Sequence, residues 1–264
     1  MMKRPATILL FVFALATGLS FAKRISSPAP ASIVYRYVHR GAYDDYDCIA
    51  LRGRTLYYLV RLPKKNYWDK WDADRLPARG GFVGEIFNPD GSQSVEALGL
   101  DGYLYVLGED IGTEDYWDKS PAVRRLPVKP DGFIHFQSGT SSFDYAVAGG
   151  RVYALTPVEG KRGKVYAWAE SSAIPPPPEG ATAVAGNADN AGKTSFYALA
   201  GGKLYALSGR DWRMSGATPL PAGQTSLSFF YDPSGNPELY AQVNGLEYRL
   251  ENNIWKRTAT PPLP

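Results

Sequence analysis

Apolar and polar residues alternate with a period of two through Tyr197-Ala198-Leu199-Ala200, break at Gly201-Gly202, and resume through Lys203-Leu204-Tyr205-Ala206-Leu207. That pattern predicts two short half-buried strands. The Gly-Gly pair supplies the positive φ values that a two-residue hairpin turn needs. The stretch has four further variants. Anchored on the last turn glycine, the copies fall at Gly53, Gly102, Gly150, Gly202 and Gly245, with spacings of 49, 48, 52 and 43 residues. A tyrosine follows each anchor within a few residues: Tyr57, Tyr105, Tyr153, Tyr205 and Tyr248. A tryptophan and then a Leu-Pro step come next, as in Trp68 to Leu76, Trp212 to Leu220 and Trp255 to Leu263. The third copy is looser, with Trp168 before Ile174-Pro175. After the proline of each copy but the last stands one more apolar segment, such as Phe133-Ile134-His135-Phe136.

Each unit therefore holds about four short strands in 40 to 50 residues, the signature of a β-propeller blade. The expected fold is all-β, a five-bladed β-propeller of four-stranded blades over residues 32–264. Radial packing lets each small sheet bury both faces, and large rings fill the wedges between blades. The segment Ser32–Val38 also reads as a strand, while the chain stops at Pro262-Leu263-Pro264, where a further strand is due. The N-terminal strand is thus expected to complete the fifth blade and close the ring.

The last copy carries Phe229-Phe230-Tyr231-Asp232-Pro233-Ser234-Gly235, then Glu238-Leu239-Tyr240-Ala241, Gly245-Leu246-Glu247-Tyr248-Arg249 and Trp255. It resembles a tachylectin-type lectin repeat, and the second copy shares the turn as Pro89-Asp90-Gly91. The resemblance implies a five-bladed propeller with amino-sugar sites between blades. Gly201 to Leu207 with Trp212 also resembles a kelch repeat.

Residues Met1 to Ala22 read as a secretory signal peptide: Lys3 and Arg4, an apolar run from Ile8 to Ala16, and small residues at Ser20 and Ala22. The run is short against the roughly 20 apolar residues of a membrane span. The mature chain is expected to begin at Lys23, with 23–31 as a flexible lead, in the periplasm or outside the cell. Losing Lys3 and Arg4 leaves 27 basic against 26 acidic residues. These charges are scattered, unlike the basic face of a nucleic-acid binder, so no nucleic-acid partner is expected. Cys48 is the only cysteine. It excludes an internal disulfide and reads as a buried, inert thiol. Glu159 to Gly163 reads as an extended hairpin, and the run Pro175 to Pro178 as a rigid connector.

Catalytic motifs are sparse. Two histidines, His39 and His135, are few for a histidine metal site, and no phosphate-cradling loop or nucleophile elbow is present. Asp90-Gly91, Asp131-Gly132 and Asp232 to Gly235 lack the carboxylate density of calcium loops and read as turns. No cofactor is expected. Six residues before the anchor glycines stand Asp47, Glu96 and Asp144 in three successive copies. Placed on inner strands near the channel mouth, they form the candidate acid and base set of a glycoside hydrolase. The leading expectation is instead binding without catalysis, of a glycan or protein partner through one face. Tyr43, Tyr46, Tyr67 and Tyr116 are its loop-side candidates, and a structural scaffold is the third reading.

Overall fold

The computed structural model describes residues 31–262, apart from 41–42, 63–64, 88–92, 109–114, 139–140, 161–162, 189–191, 224 and 232–236. The proposed leader, the Asp90-Gly91 turn and the Asp232 to Gly235 turn lie outside the described residues. Twenty strands form five four-stranded antiparallel sheets, each built from consecutive strands. The first blade is β1 (Ala31–Arg40), β2 (Tyr43–Arg52), β3 (Thr55–Leu62) and β4 (Lys65–Lys70). The second is β5 (Gly81–Phe87), β6 (Gln93–Gly99), β7 (Leu104–Gly108) and β8 (Tyr116–Lys119). The third is β9 (Gly132–Ser138), β10 (Ser141–Ala148), β11 (Arg151–Gly160) and β12 (Gly163–Glu170). The fourth is β13 (Ala181–Ala188), β14 (Thr194–Ala200), β15 (Lys203–Ser208) and β16 (Asp211–Met214). The fifth is β17 (Thr225–Tyr231), β18 (Pro237–Val243), β19 (Leu246–Glu251) and β20 (Ile254–Arg257). The chain is a five-bladed β-propeller.

The first strands of the blades, β1, β5, β9, β13 and β17, pack side by side in a closed cycle around the axis. This corrects two expectations. The acids Asp47, Glu96 and Asp144 stand on β2, β6 and β10, the second strands, not the innermost ones. The N-terminal strand does not complete the fifth blade. It pairs with β2, Ser32 opposite Leu51 and Val38 opposite Asp45, and the fifth blade is whole without it. The apolar segment after each Leu-Pro step begins the next blade, so the unit of structure is offset by one strand from the expected unit. The ring still closes at the N-terminal strand, because β1 packs beside β17.

Alternation assigns each strand face to a neighbouring blade. In the third blade, Ala146 and Ala148, with Phe133, pack against Leu98, Leu104 and Leu126 of the second. Ile134, Phe136 and Val147 pack against Val184, Phe196 and Ala198 of the fourth. Burying each large side chain in such a wedge is worth roughly 1.5–3 kcal/mol.

The Leu-Pro connectors fold back over the hairpin turns. The N–H groups of Leu76, Leu126 and Leu220 donate to the carbonyls of Arg54, Gly102 and Gly202 at 3.0, 2.8 and 2.9 Å. The leucine side chains are buried. Gly202 has φ +75°, and a Cβ there would lie 2.8 Å from the carbonyl oxygen of Leu220. Glycine is therefore required at that position both by the turn and by the chain that crosses it. The proline run is part of such a connector: the Pro175 carbonyl accepts the indole N–H of Trp212 at 3.3 Å. The extended hairpin forms as expected, its ladder reaching Gly160 opposite Gly163.

Four blades join their second and third strands through two-residue turns, closed by Arg52 and Thr55, Ala148 and Arg151, Ala200 and Lys203, and Val243 and Leu246. The second blade uses three residues, Leu100-Asp101-Gly102, with the Gly99 N–H donating to the Tyr103 carbonyl at 2.9 Å. Because side chains alternate, one added residue exchanges the two faces relative to an anchor in the turn. The ladders place Glu96 level with Ile49, Tyr145, Tyr197 and Tyr240, opposite Val106, Tyr58, Ala154, Ala206 and Arg249 respectively. Glu96 and Asp144 are thus not equivalent positions.

Candidate functional site

Glu96 faces the third blade and Asp144 faces the second, so the two acids meet across one blade junction. Gly84, opposite Glu96 on β5, makes the approach possible. A Cβ there would stand 2.6 Å from the Phe133 ring and 2.9 Å from the Cβ of His135. His135 on the inner strand β9 is paired with Asp144 on β10. Its Nδ1 donates to Asp144 Oδ1 at 2.6 Å, with the two side chains 3% and 13% exposed. That bond places the proton on Nδ1 and leaves Nε2 with a lone pair. Nε2 and the Oε2 of Glu96 are both buried without a hydrogen-bond partner. Glu96, His135 and Asp144 each offer a ligand atom within 4.8 Å of the others. Burial, followed by the negative charge of Asp144, pushes the Glu96 carboxyl up to about 8. The group is a neutral acid at neutral pH. Asp47 lies in the first blade, and its side chain, like those of Cys48, Tyr43 and Tyr46, lies outside the described residues.

The tyrosine candidates are strand residues, not loop residues. Tyr43 and Tyr46 belong to β2, opposite Arg40 and Tyr37. Tyr67 sits on the outermost strand β4, half-buried, with the Lys65 ammonium 5.2 Å from its ring centre. Tyr116 opens β8, is exposed, and covers Gly108, where a Cβ would stand 3.0 Å from the ring.

A second constellation, which the period-based reading missed, occupies the junction of the first and second blades. Tyr58 on β3 is 38% exposed. Trp71, just past β4, meets it edge-on, with ring centres 6.1 Å apart and planes at 83°. Tyr58 donates its hydroxyl to Asp69 Oδ2 at 3.3 Å, and the Trp71 indole donates to Asp115 Oδ2 at 2.7 Å. Desolvation, then the charge of Asp69, holds the Tyr58 phenol above its ordinary value. The Ala73–Asp115 bridge and the bond from Asp74 N–H to the Asp115 carbonyl at 2.7 Å tie the two blades together here. The signal for this site lies in a comparison between copies. The Trp71 N–H donates to the Leu56 carbonyl, as those of Ser120, Ser171, Ser215 and Thr258 do to Leu104, Val152, Leu204 and Glu247. Four blades have a small hydroxyl residue where the first has tryptophan. Blade packing does not require a ring at this position.

No family model matches the chain, so neither the tachylectin-type nor the kelch-like resemblance gains support there, and no curated protein matches it. Solved structures do. The AofleA protein of Arthrobotrys oligospora is similar at 14% identity, a TM-score of 0.48, and coverage of 87% of this chain and 72% of that one. The fucose-specific lectin of Aleuria aurantia is similar at 12% identity, with a TM-score of 0.49 and coverage of 89% and 82%. The SapL1 lectin, solved with α-methyl fucoside, is similar at 14%, with a TM-score of 0.44 and coverage of 89% and 80%. The Aleuria aurantia lectin has a six-bladed propeller fold, one blade more than this chain.

Proposed function

We propose that the chain is a secreted, non-catalytic binding protein that recognises a glycan through the junction of its first two blades. The observation that carries this reading is the Tyr58–Trp71 pair with Asp69 and Asp115 beside it. An exposed ring offers a face on which a sugar can stack, and the adjoining carboxylates accept hydrogen bonds from hydroxyls. A binding pocket of this kind needs few polar groups, placed around an aromatic surface. The glycosidase alternative has less support, because a catalytic pair must reach a substrate. Glu96 is only 8% exposed, and Asp144 is engaged by His135.

The test is a glycan array followed by calorimetry on the best ligand, with Trp71→Ser, which installs a hydroxyl residue like those of the other blades, and Tyr58→Ala. Each substitution is expected to weaken binding at least tenfold, about 1.4 kcal/mol, while cooperative thermal unfolding persists. Absence of any glycan ligand, or binding that survives both substitutions, would overturn the reading.

A further inference from the structure

We propose that Glu96, His135 and Asp144 together hold a divalent transition-metal ion, with Zn2+ the best match, that ties the second blade to the third. The donor set is one imidazole and two carboxylates, a mixture that suits zinc and its neighbours better than calcium or magnesium, which favour all-oxygen shells. The ligand atoms lie within 4.8 Å of one another. A tetrahedral ion with bonds of about 2.1 Å sets its ligands roughly 3.4 Å apart, so a modest contraction completes the site.

Two features point to a ligand. Glu96 Oε2 and His135 Nε2 are buried and unpartnered, a costly arrangement for polar atoms removed from water. An ion accepting both lone pairs removes that cost. The second feature is the carboxylate on the far side of the ring. Asp144 fixes His135 through Nδ1, as outer carboxylates do for metal-bound histidines, selecting the tautomer and orienting the free nitrogen. Asp144 can also offer its other oxygen to the ion. The charges balance as well: His135 is the only basic residue paired with either acid in the described part of the chain. The backbone is shaped for the site at Gly84, where any side chain would collide with His135 and Phe133.

The experiment uses the untagged chain, stripped with a chelator and dialysed, and titrated calorimetrically with Zn2+ in parallel with Ca2+ and Mg2+. One Zn2+ per chain is expected, with a raised unfolding temperature, and with much weaker binding of the other two ions. Glu96→Gln and His135→Gln should each weaken Zn2+ binding by more than the roughly 10- to 100-fold that Asp144→Asn should cost. His39→Gln should leave it unchanged. Where a variant fails to fold, Co2+ added to the native chain provides the readout, as a visible d–d absorption that Zn2+ abolishes. Failure of the native chain to bind Zn2+ and Co2+ overturns the proposal. So does Zn2+ binding that survives His135→Gln or is lost with His39→Gln.

Discussion

The indole Nε1 of Trp68 donates to the carbonyl of Pro261 at 3.0 Å, across 193 positions of sequence. Trp212 makes the corresponding bond to Pro175 in the connector of the blade before it. The Trp68 bond therefore joins the fifth blade to the first in the same way that the fourth blade joins the third. Trp68→Phe should destabilise the protein by about 1 kcal/mol, the net worth of one hydrogen bond, and Trp68→Ala by about 3–5 kcal/mol through lost packing. Removing residues 31–40, which deletes β1 from both its sheet and the inner ring, should abolish cooperative unfolding. Calorimetric scans of the three proteins check this, and an unchanged melt in the deletion would reject closure through β1.

Two turn glycines separate backbone strain from steric approach. Gly150 has φ +72° with open space within 4 Å of the point where a Cβ would stand, whereas Gly202 has φ +75° with the Leu220 carbonyl oxygen 2.8 Å from that point. Gly150→Ala should cost about 1–2 kcal/mol, the ordinary penalty for a left-handed residue. Gly202→Ala should cost at least about 1 kcal/mol more, because the Leu-Pro connector must shift. Denaturant unfolding of both variants measures the difference, and equal penalties would refute the crossing-chain argument.

Glu96 links stability to pH in the metal-free chain. Its folded-state carboxyl is raised from 4.5 to about 8, so the folded state holds the proton more tightly than the unfolded state. Its contribution is fully present below about pH 4.5 and is lost as pH rises through about 8. Glu96→Gln, a neutral residue of similar shape, should flatten that part of the stability–pH curve and make the variant relatively more stable at the alkaline end. Unfolding temperatures across the window check this, and parallel curves for the two proteins would contradict it.

Export is tested by expression with the full sequence. The mature product is expected to start at Lys23 in the secreted or periplasmic fraction. N-terminal sequencing checks it, and a soluble cytosolic product retaining Met1 would count against it.

The number of blades and the strand content were legible in the sequence because a hairpin turn, a tryptophan and a Leu-Pro step recur in a fixed order, and each performs a local packing task. The offset of the blade by one strand was not legible, because periodicity defines a unit but not where in the unit the chain crosses from one sheet to the next. The pairing of Glu96 with Asp144 was half legible. Both acids were singled out, but as equivalent residues around an axis. They meet because they are inequivalent, on opposed faces of adjacent sheets, and His135 between them is an inner-strand residue that the turn-anchored columns did not include. The Tyr58–Trp71 pair was hidden for a different reason. Tyrosines and tryptophans are abundant in the core, and only the hydrogen bonds of the five connectors reveal that Trp71 replaces a serine or threonine.

The three-residue turn at Leu100-Asp101-Gly102 has an effect out of proportion to its size. One residue added outside the sheet changes which neighbour each side chain of the adjoining strand addresses, while the strand itself keeps its length and ladder. A ring of copied blades can in this way become chemically lopsided by a single insertion at its rim, gaining a private polar seam between two of its blades.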